Sequence, residues 1–455
     1  MTGATSKDIS VAPPPVGDFG YRQELKRSLS LFDLVVYGIV FITPTACLAY
    51  FGVVFNLSAG MVPLVYLVGL MAMLFTAASY VFMSRVYPVA GSVYTYAGRT
   101  MGESVGFLAG WAMLLDYLLL PTLVYVTSAV ALQALVPTVP KAVWIVALLA
   151  FNTGMNIRGI ETTARLGLLF MVLQLALLSV FLVVAILALG QGIAGAHLST
   201  EPFFKADLIS PAIIFSGLSF AVISFLGFDA ISTLSEEAKD GAAAVGKATY
   251  LSLIVVALMF IVLTYFTSLF VLGRTSFAPG DATSGAVYAV MDEIGGPWFK
   301  ALLTVPLVLF AGLPGALTAQ VATSRLLFSM ARDDKLPGWL ARVNPKSNVP
   351  DRAVLLVAGV TLVLGIALAD RLELLGSMVN FGALLGFLLL HMSVMVYVGR
   401  RRQDQGALRQ IAVAALGFAI VAYVFVNLDA TAVIAGLGWL AVGIAALLRL
   451  KLLRR

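Results

Sequence analysis

The chain has 455 residues, of which 60% are hydrophobic and only 11% charged, with a mean hydropathy of +0.99. A soluble domain carries about 25% charged residues, so the composition excludes cytosolic enzymes, nucleic-acid binders and secreted disulfide scaffolds. One cysteine, Cys47, forbids an internal disulfide, and two histidines, His197 and His391, leave no Cys/His metal cluster.

Residues 1–28 hold Pro13, Pro14, Pro15 and mixed charges, and read as a disordered cytoplasmic tail without a secretory signal. From Leu31 onward, apolar runs of roughly 18–30 residues recur, each long enough to cross about 30 Å of hydrocarbon as a helix. They fall near 31–54, 61–86, 104–134, 141–157, 163–189, 209–235, 246–273, 297–330, 352–369, 372–399, 409–427 and 430–449. The pattern predicts an all-α integral membrane protein of twelve transmembrane helices, with segment 89–103 lying along the interface. Twelve spans put 24 of the 29 lysines and arginines on the side that holds both termini, and only Lys141, Lys205, Arg274, Lys300 and Arg371 on the other. Positive charge stays inside, so both termini are expected in the cytoplasm. An odd count would scramble that segregation.

The first span carries Ile42-Thr43-Pro44. Pro44 lacks an N–H and crowds the preceding turn, so the helix should kink or break between Gly38 and Thr45. Irregular backbone at membrane depth survives only where it faces protein or a water-filled cavity. The third span buries Asp116 about twelve residues in, with no lysine or arginine in the span to neutralise it. It is either bonded to a neighbouring helix or a ligand for a cation or proton. Tyr117 follows about 100° around the helix and can close an aromatic wall with Phe225 or Phe228. The sixth span sets Gly227 and Asp229 within Ile223-Ser224-Phe225-Leu226-Gly227-Phe228-Asp229. Asp229 either caps broken backbone or handles substrate or protons.

Weaker signals carry less. Gly241 to Ala248 approaches a phosphate-binding loop, but Ala248 replaces the Ser/Thr, and no strand precedes it. His391 reads as a bonded core histidine. Glu236 and Glu237 read as solvated residues near Lys239, and Arg400-Arg401-Arg402 as a topogenic anchor. Spans 1–5 and 6–10 each begin with an interrupted helix, a coarse internal repeat.

These residues resemble the amino acid–polyamine–organocation transporter superfamily, and within it the bacterial putrescine importers. The likeness covers about 25–450. It is carried by Gly38 to Pro44, Pro88-Val-Ala-Gly91-Ser92-Val-Tyr94-Thr95-Tyr96, Leu115-Asp116-Tyr117-Leu118 and Ser224 to Ala230. Leu234-Ser-Glu-Glu237, Ser324 to Asp333 and Val379 to Leu384 extend it. The resemblance implies a LeuT-like five-plus-five inverted repeat with broken helices 1 and 6. The first repeat would run over 29–190, the second over 191–400, with two accessory spans and a cytoplasmic end in 401–455. It also implies a substrate pocket built from Ile42, Thr43, Pro44, Asp116, Tyr117, Ile223, Ser224, Phe225, Gly227, Phe228 and Asp229. Asp229 is then the proton-coupling candidate.

The chain departs from the family's usual Gly-Ser/Ala-Gly in the first span. Pro44 offers no N–H, which weakens the usual nest for a substrate carboxylate. Gln174 stands where some cationic amino-acid relatives carry a coupling lysine. Thr323 and Ser324 either line a sodium site or bond backbone. The expectation is therefore a non-enzymatic secondary transporter in a bacterial-type cytoplasmic membrane, importing a polyamine, putrescine first. It has no cofactor or resident metal and no nucleic-acid partner, and is driven by protons or sodium. An amino-acid permease of the same superfamily is the alternative.

Overall fold

The computed structural model describes residues 22–136, 138–279, 281–369, 371–401, 406–428 and 430–453. Most of the expected tail, residues 1–21, lies outside the described residues, as do Arg402, Arg454 and Arg455. The described chain is helical, and its β-type pairing is a single parallel bridge between Leu29 and Ala238. Helices are the natural solution in hydrocarbon, because each one satisfies its own backbone donors and acceptors.

Leu31–Ile42 (α1), Ala46–Ala49 (α2) and Phe51–Leu57 (α3) make up the first apolar run. Val62–Val86 (α4), Val93–Met101 (α5), Glu103–Leu135 (α6), Lys141–Ile157 (α7) and Ile160–Gly190 (α8) follow. Then come Pro211–Ala221 (α9), Gly241–Leu269 (α10), Asp281–Ser284 (α11) and Ala286–Arg332 (α12). Asp351–Ala367 (α13), Leu372–Arg400 (α14), Ala407–Val426 (α15) and Ala430–Leu453 (α16) end the order. Among the described residues, nine helical stretches are long and apolar enough to cross a membrane, and α7 is a shorter apolar helix.

α6 is the central helix, with 72% of its most apolar window buried, and it packs against α12, α14, α5 and α7. α16 is peripheral at 17% and reaches α6 and α14. Trp439 of α16 stacks on Trp111 of α6 at 4.8 Å between ring centres. Each indole N–H donates to the other tryptophan's carbonyl, at 2.9 and 2.7 Å.

The first span breaks at Thr43, with φ 64°, within the stretch from Gly38 to Thr45 where a break is expected, and Gly38 stays helical. Gly38 is small because Ser252 and Ile231 pack against it: a Cβ there would lie 2.6 Å from both. Segment 89–103 is ordered and packed. It contains α5, whose Val93, Tyr94, Tyr96 and Ala97 are buried against α6 and α14. α12 starts at Ala286 and kinks at Gly296, where φ is 75°, so the stretch beyond the kink begins at 297 as the apolar run does. Gly241 to Ala248 form the first two turns of α10.

The two broken stretches meet. Thr43 donates its hydroxyl to the Val40 carbonyl at 3.0 Å, covering an acceptor left open as α1 ends. Pro44 follows, and α2 restarts at Ala46. Beyond α9, residues Val222–Phe225 and Phe228–Leu234 form 3₁₀ turns on either side of Leu226 and Gly227. Gly227 has φ 120°, and a Cβ on it would stand 2.9 Å from the carbonyl carbon of Phe41. Only a residue without a Cβ tolerates that dihedral together with that approach. Gly227→Ala should therefore lower the stability of the purified protein by about 1–3 kcal/mol, read as an earlier thermal unfolding transition in detergent.

Candidate functional site

Asp229 opens the 3₁₀ turn just past Gly227 and is buried. One carboxylate oxygen accepts the Gly227 N–H at 3.1 Å, so the residue caps its own broken backbone. The other accepts the Tyr117 hydroxyl at 2.5 Å. Tyr117 is fixed in turn by α12, because Thr323 donates to its carbonyl at 2.6 Å. Among the described residues no ring contact joins Tyr117 to Phe225 or Phe228. Phe225 packs instead on Tyr66 and Phe260, and Phe228 on Tyr80 and Phe387.

Asp116 is equally buried and lies within electrostatic reach of Asp229. Its Oδ1 has no hydrogen-bond partner. Neither acid forms an ion pair with a described residue. A buried carboxylate without a fixed cation is costly in a membrane protein and calls for a cationic partner or a proton. Among the described residues no group of three or more His, Cys, Asp or Glu side chains could hold a metal ion.

The remaining candidate residues divide by depth. Ile42 and Pro44 are buried at the first break, and Thr43 is half-buried. Ser224 exchanges a hydrogen bond with Tyr66 at 2.9 Å, high on α4 relative to Tyr80, which meets Phe228. Ile223 is buried beside Ser224. The structure thus joins Asp116, Tyr117, Gly227 and Asp229 in one cluster, and sets Ile223, Ser224 and Phe225 at another level of the same helix break. Gln174 donates to Thr45 at 3.1 Å, tying α8 to the turn after Pro44. Thr323 and Ser324 bond backbone: Thr323 reaches Ala319 and Tyr117 carbonyls, and Ser324 the Val321 carbonyl. His391 lies apart, held by Thr76 at 3.2 Å and Ser79 at 2.9 Å.

At the far end of the second break the expectation for the two glutamates fails. Glu236 and Glu237 are fully buried, not solvated, and neither uses Lys239. Arg325 grips Glu237 through two nitrogens at 2.7 and 3.3 Å, and Arg332 grips Glu236 at 2.8 and 3.0 Å. The Ala90 N–H also donates to Glu236 at 2.8 Å. The physical reason is the fold itself, which brings two arginines two helical turns apart on α12 against adjacent acids. The segment before α1 closes over them: Ser28 and Leu29 N–H groups both donate to the Glu237 carbonyl at 3.0 Å. Gln23 donates to the Glu236 carbonyl at 2.9 Å.

Broken helices meeting over buried acids, inside a bundle sealed by ion pairs, are the anatomy of a solute carrier. A family model described as "Amino acid permease" matches residues 29–435. The chain belongs to that family, within the amino acid–polyamine–organocation superfamily. This permease is 33% identical to the low-affinity putrescine importer PlaP of Escherichia coli (strain K12), over 93% of each chain. It is 27% identical to the branched-chain amino acid permease BcaP of Bacillus subtilis (strain 168), over 93% of this chain and 92% of that one. The methylthioribose transporter of the same Bacillus strain is 29% identical over 82% of each. The permease is accordingly a multi-pass membrane transporter.

Sequence reasoning missed the ion pairs and the tyrosines of α4. The seven-residue spacing of Arg325 and Arg332 in an apolar helix was the available signal, because charges buried on one helix face need partners. Removing one member of a buried pair leaves an uncompensated charge. Arg325→Met and Glu237→Met should each destabilise the permease by about 3–5 kcal/mol, and the double variant by less than either. Thermal unfolding of the three proteins tests this.

Proposed function

We propose that the permease is a secondary importer of a polyamine, putrescine first, in a bacterial-type cytoplasmic membrane. The observation that carries this reading is the pair of buried acids, Asp116 and Asp229, without a protein cation beside them. A diamine is dicationic at neutral pH and needs compensation in a low-dielectric chamber. The first break favours the same reading. Pro44 supplies no N–H, and the Thr43 N–H is already given to the Ile39 carbonyl at 3.0 Å. A substrate carboxylate would find a poor nest there, which disfavours an ordinary amino acid. The name of the PlaP relative supports a polyamine, and that of BcaP keeps the amino-acid permease as the second reading.

The architecture we assign completes the twelve spans with α7, α13 and the part of α12 beyond Gly296. Repeats over 29–190 and 191–400 are then related by inversion, and 401–455 adds α15 and α16. Both termini are cytoplasmic in this assignment, on the strength of the 24-to-5 split of lysines and arginines. Cys47 is buried, so single cysteines introduced on a Cys47→Ser background report sidedness cleanly. Residues placed before α1 and after α16 should label only from the cytoplasmic face, and external labelling of either overturns the orientation.

Coupling is assigned to protons, with Asp229 as the carrier, since its oxygens are held by a phenol and a backbone N–H and not by a fixed cation. In proteoliposomes, an imposed pH gradient should drive uptake of radiolabelled putrescine. Asp229→Asn should make the residual uptake insensitive to that gradient. Asp116→Asn should weaken putrescine binding by more than tenfold, because losing one buried charge partner costs about 2–5 kcal/mol. Leucine should not compete. Strong leucine competition would transfer the assignment to the amino-acid reading, and sodium-driven uptake would displace the proton.

A further inference from the structure

The five lysines and arginines that the charge split leaves on the outer side are exceptions to the positive-inside pattern, and three of them gather at one place. The Lys205 amine donates to the Arg274 carbonyl at 3.2 Å and to the Ala59 carbonyl at 3.0 Å, which fixes the segment that follows α10. Arg274 and Lys300 both line a cleft of about 530 Å³, together with Phe277, Tyr288, Asp292 and Thr304. That volume is in the range of small-molecule sites. Asp292 and Lys300 come four residues before and four after Gly296, and so face the cleft from either side of the bend in α12.

The cleft holds charges of both signs that the protein leaves largely unmatched. Among the described residues neither Lys300 nor Asp292 takes part in an ion pair or a side-chain hydrogen bond. Arg274 meets Glu293 at 3.5 Å, with both side chains about half exposed, and its guanidinium stands 5.9 Å from the centre of the Phe277 ring. A contact that long between exposed groups is worth little, so the guanidinium stays open to an anion. The cleft also lies at the edge of the hydrocarbon. Lys300 is at the start of the apolar run from 297, and beside it Trp298 and Leu302 are 63% and 48% exposed. A tryptophan that faces outward at the end of a span marks headgroup depth.

We propose that this cleft binds the headgroup of a phospholipid that carries both a phosphate and a primary ammonium, as phosphatidylethanolamine does. Arg274 and Lys300 take the phosphate oxygens, Arg274 through its fork of N–H donors. Asp292 accepts an N–H of the ammonium. A purely anionic headgroup leaves Asp292 unmatched, and a trimethylammonium has no N–H to give it. A soluble phosphoethanolamine carries the same pair of charges, but offers nothing for the apolar surface of Trp298 and Leu302 to hold, which favours the lipid. The site does not depend on which solute the permease carries. Its place in the outer leaflet follows from the orientation assigned above.

The test offers delipidated full-length protein in detergent an equimolar mixture of phosphatidylethanolamine, phosphatidylglycerol and phosphatidylcholine with matched chains, and reads retained lipid by native mass spectrometry. Wild type should retain phosphatidylethanolamine about fivefold over phosphatidylcholine, the upper end for an exposed ion pair. Asp292→Asn should abolish that preference and leave phosphatidylcholine retention unchanged. Arg274→Gln and Lys300→Gln should each lower retention of all three lipids several-fold. The variants should unfold at the wild-type temperature, since none of the three side chains is buried. No preference in wild type, a preference kept in Asp292→Asn, or retention unchanged in both cation variants overturns the proposal. Displacement of the lipid by O-phosphoethanolamine at the same concentration also overturns it, and assigns the cleft to a soluble ligand. If one variant does not fold, the wild-type preference and the remaining variants decide by the same criteria.

Discussion

A helix that stops in mid-membrane leaves carbonyl and N–H groups that lipid cannot satisfy, and the rest of this permease is arranged around hiding two such stops. They are hidden in each other and in neighbouring side chains. Gly227 lies on the Phe41 backbone, Thr43 turns its hydroxyl back on the Val40 carbonyl, and Asp229 takes the Gly227 N–H. Tyr37 reaches the Thr318 carbonyl at 2.9 Å and fixes α1 against α12 just below the first break. Once the stops are packed this way, the helices that surround them must bring polar groups inward, and the acid pair follows from that geometry.

Charge is buried in two contrasting ways along the same chain segment. Glu236 and Glu237 are matched one to one by bidentate arginines, which makes a neutral, tightly bonded plug. Seven and eight residues earlier in the chain, Asp229 has only a phenol and an N–H, and Asp116 leaves an oxygen bare. The glutamates are satisfied within the protein, and Asp116 is not.

Much of the helical layout was legible because hydropathy reports directly on burial in lipid. Val62–Val86 and Ala407–Val426 fall within two residues of the apolar runs that predict them. Pro44 and Gly227 marked the breaks because proline lacks a donor and a glycine beside a carboxylate is costly to keep in a membrane helix. What stayed hidden depends on contacts far apart in sequence. Arg325 and Glu237 are 88 residues apart, and their pairing has no local signature. Tyr80 looks like any other large residue of an apolar helix until Phe228 and Phe387 are placed around it. Segment 89–103 carried too many polar residues to read as buried, but Tyr94 and Thr100 spend theirs on Asp333 and the Tyr96 carbonyl.

The paired indoles of Trp111 and Trp439 join a deeply enclosed helix to a largely exposed one. Their ring stack and two reciprocal hydrogen bonds resist both sliding and tilting of α16 against α6. Five residues beyond Trp111 on that same rigid helix sits Asp116. Any rotation of α6 that moves Asp116 must drag α16 through hydrocarbon, and the elastic cost of fitting α16 to the local bilayer thickness is added to the barrier. The lipid around the protein thereby becomes a mechanical load on the carrier's cycle, and turnover will vary with acyl-chain length even where substrate affinity does not.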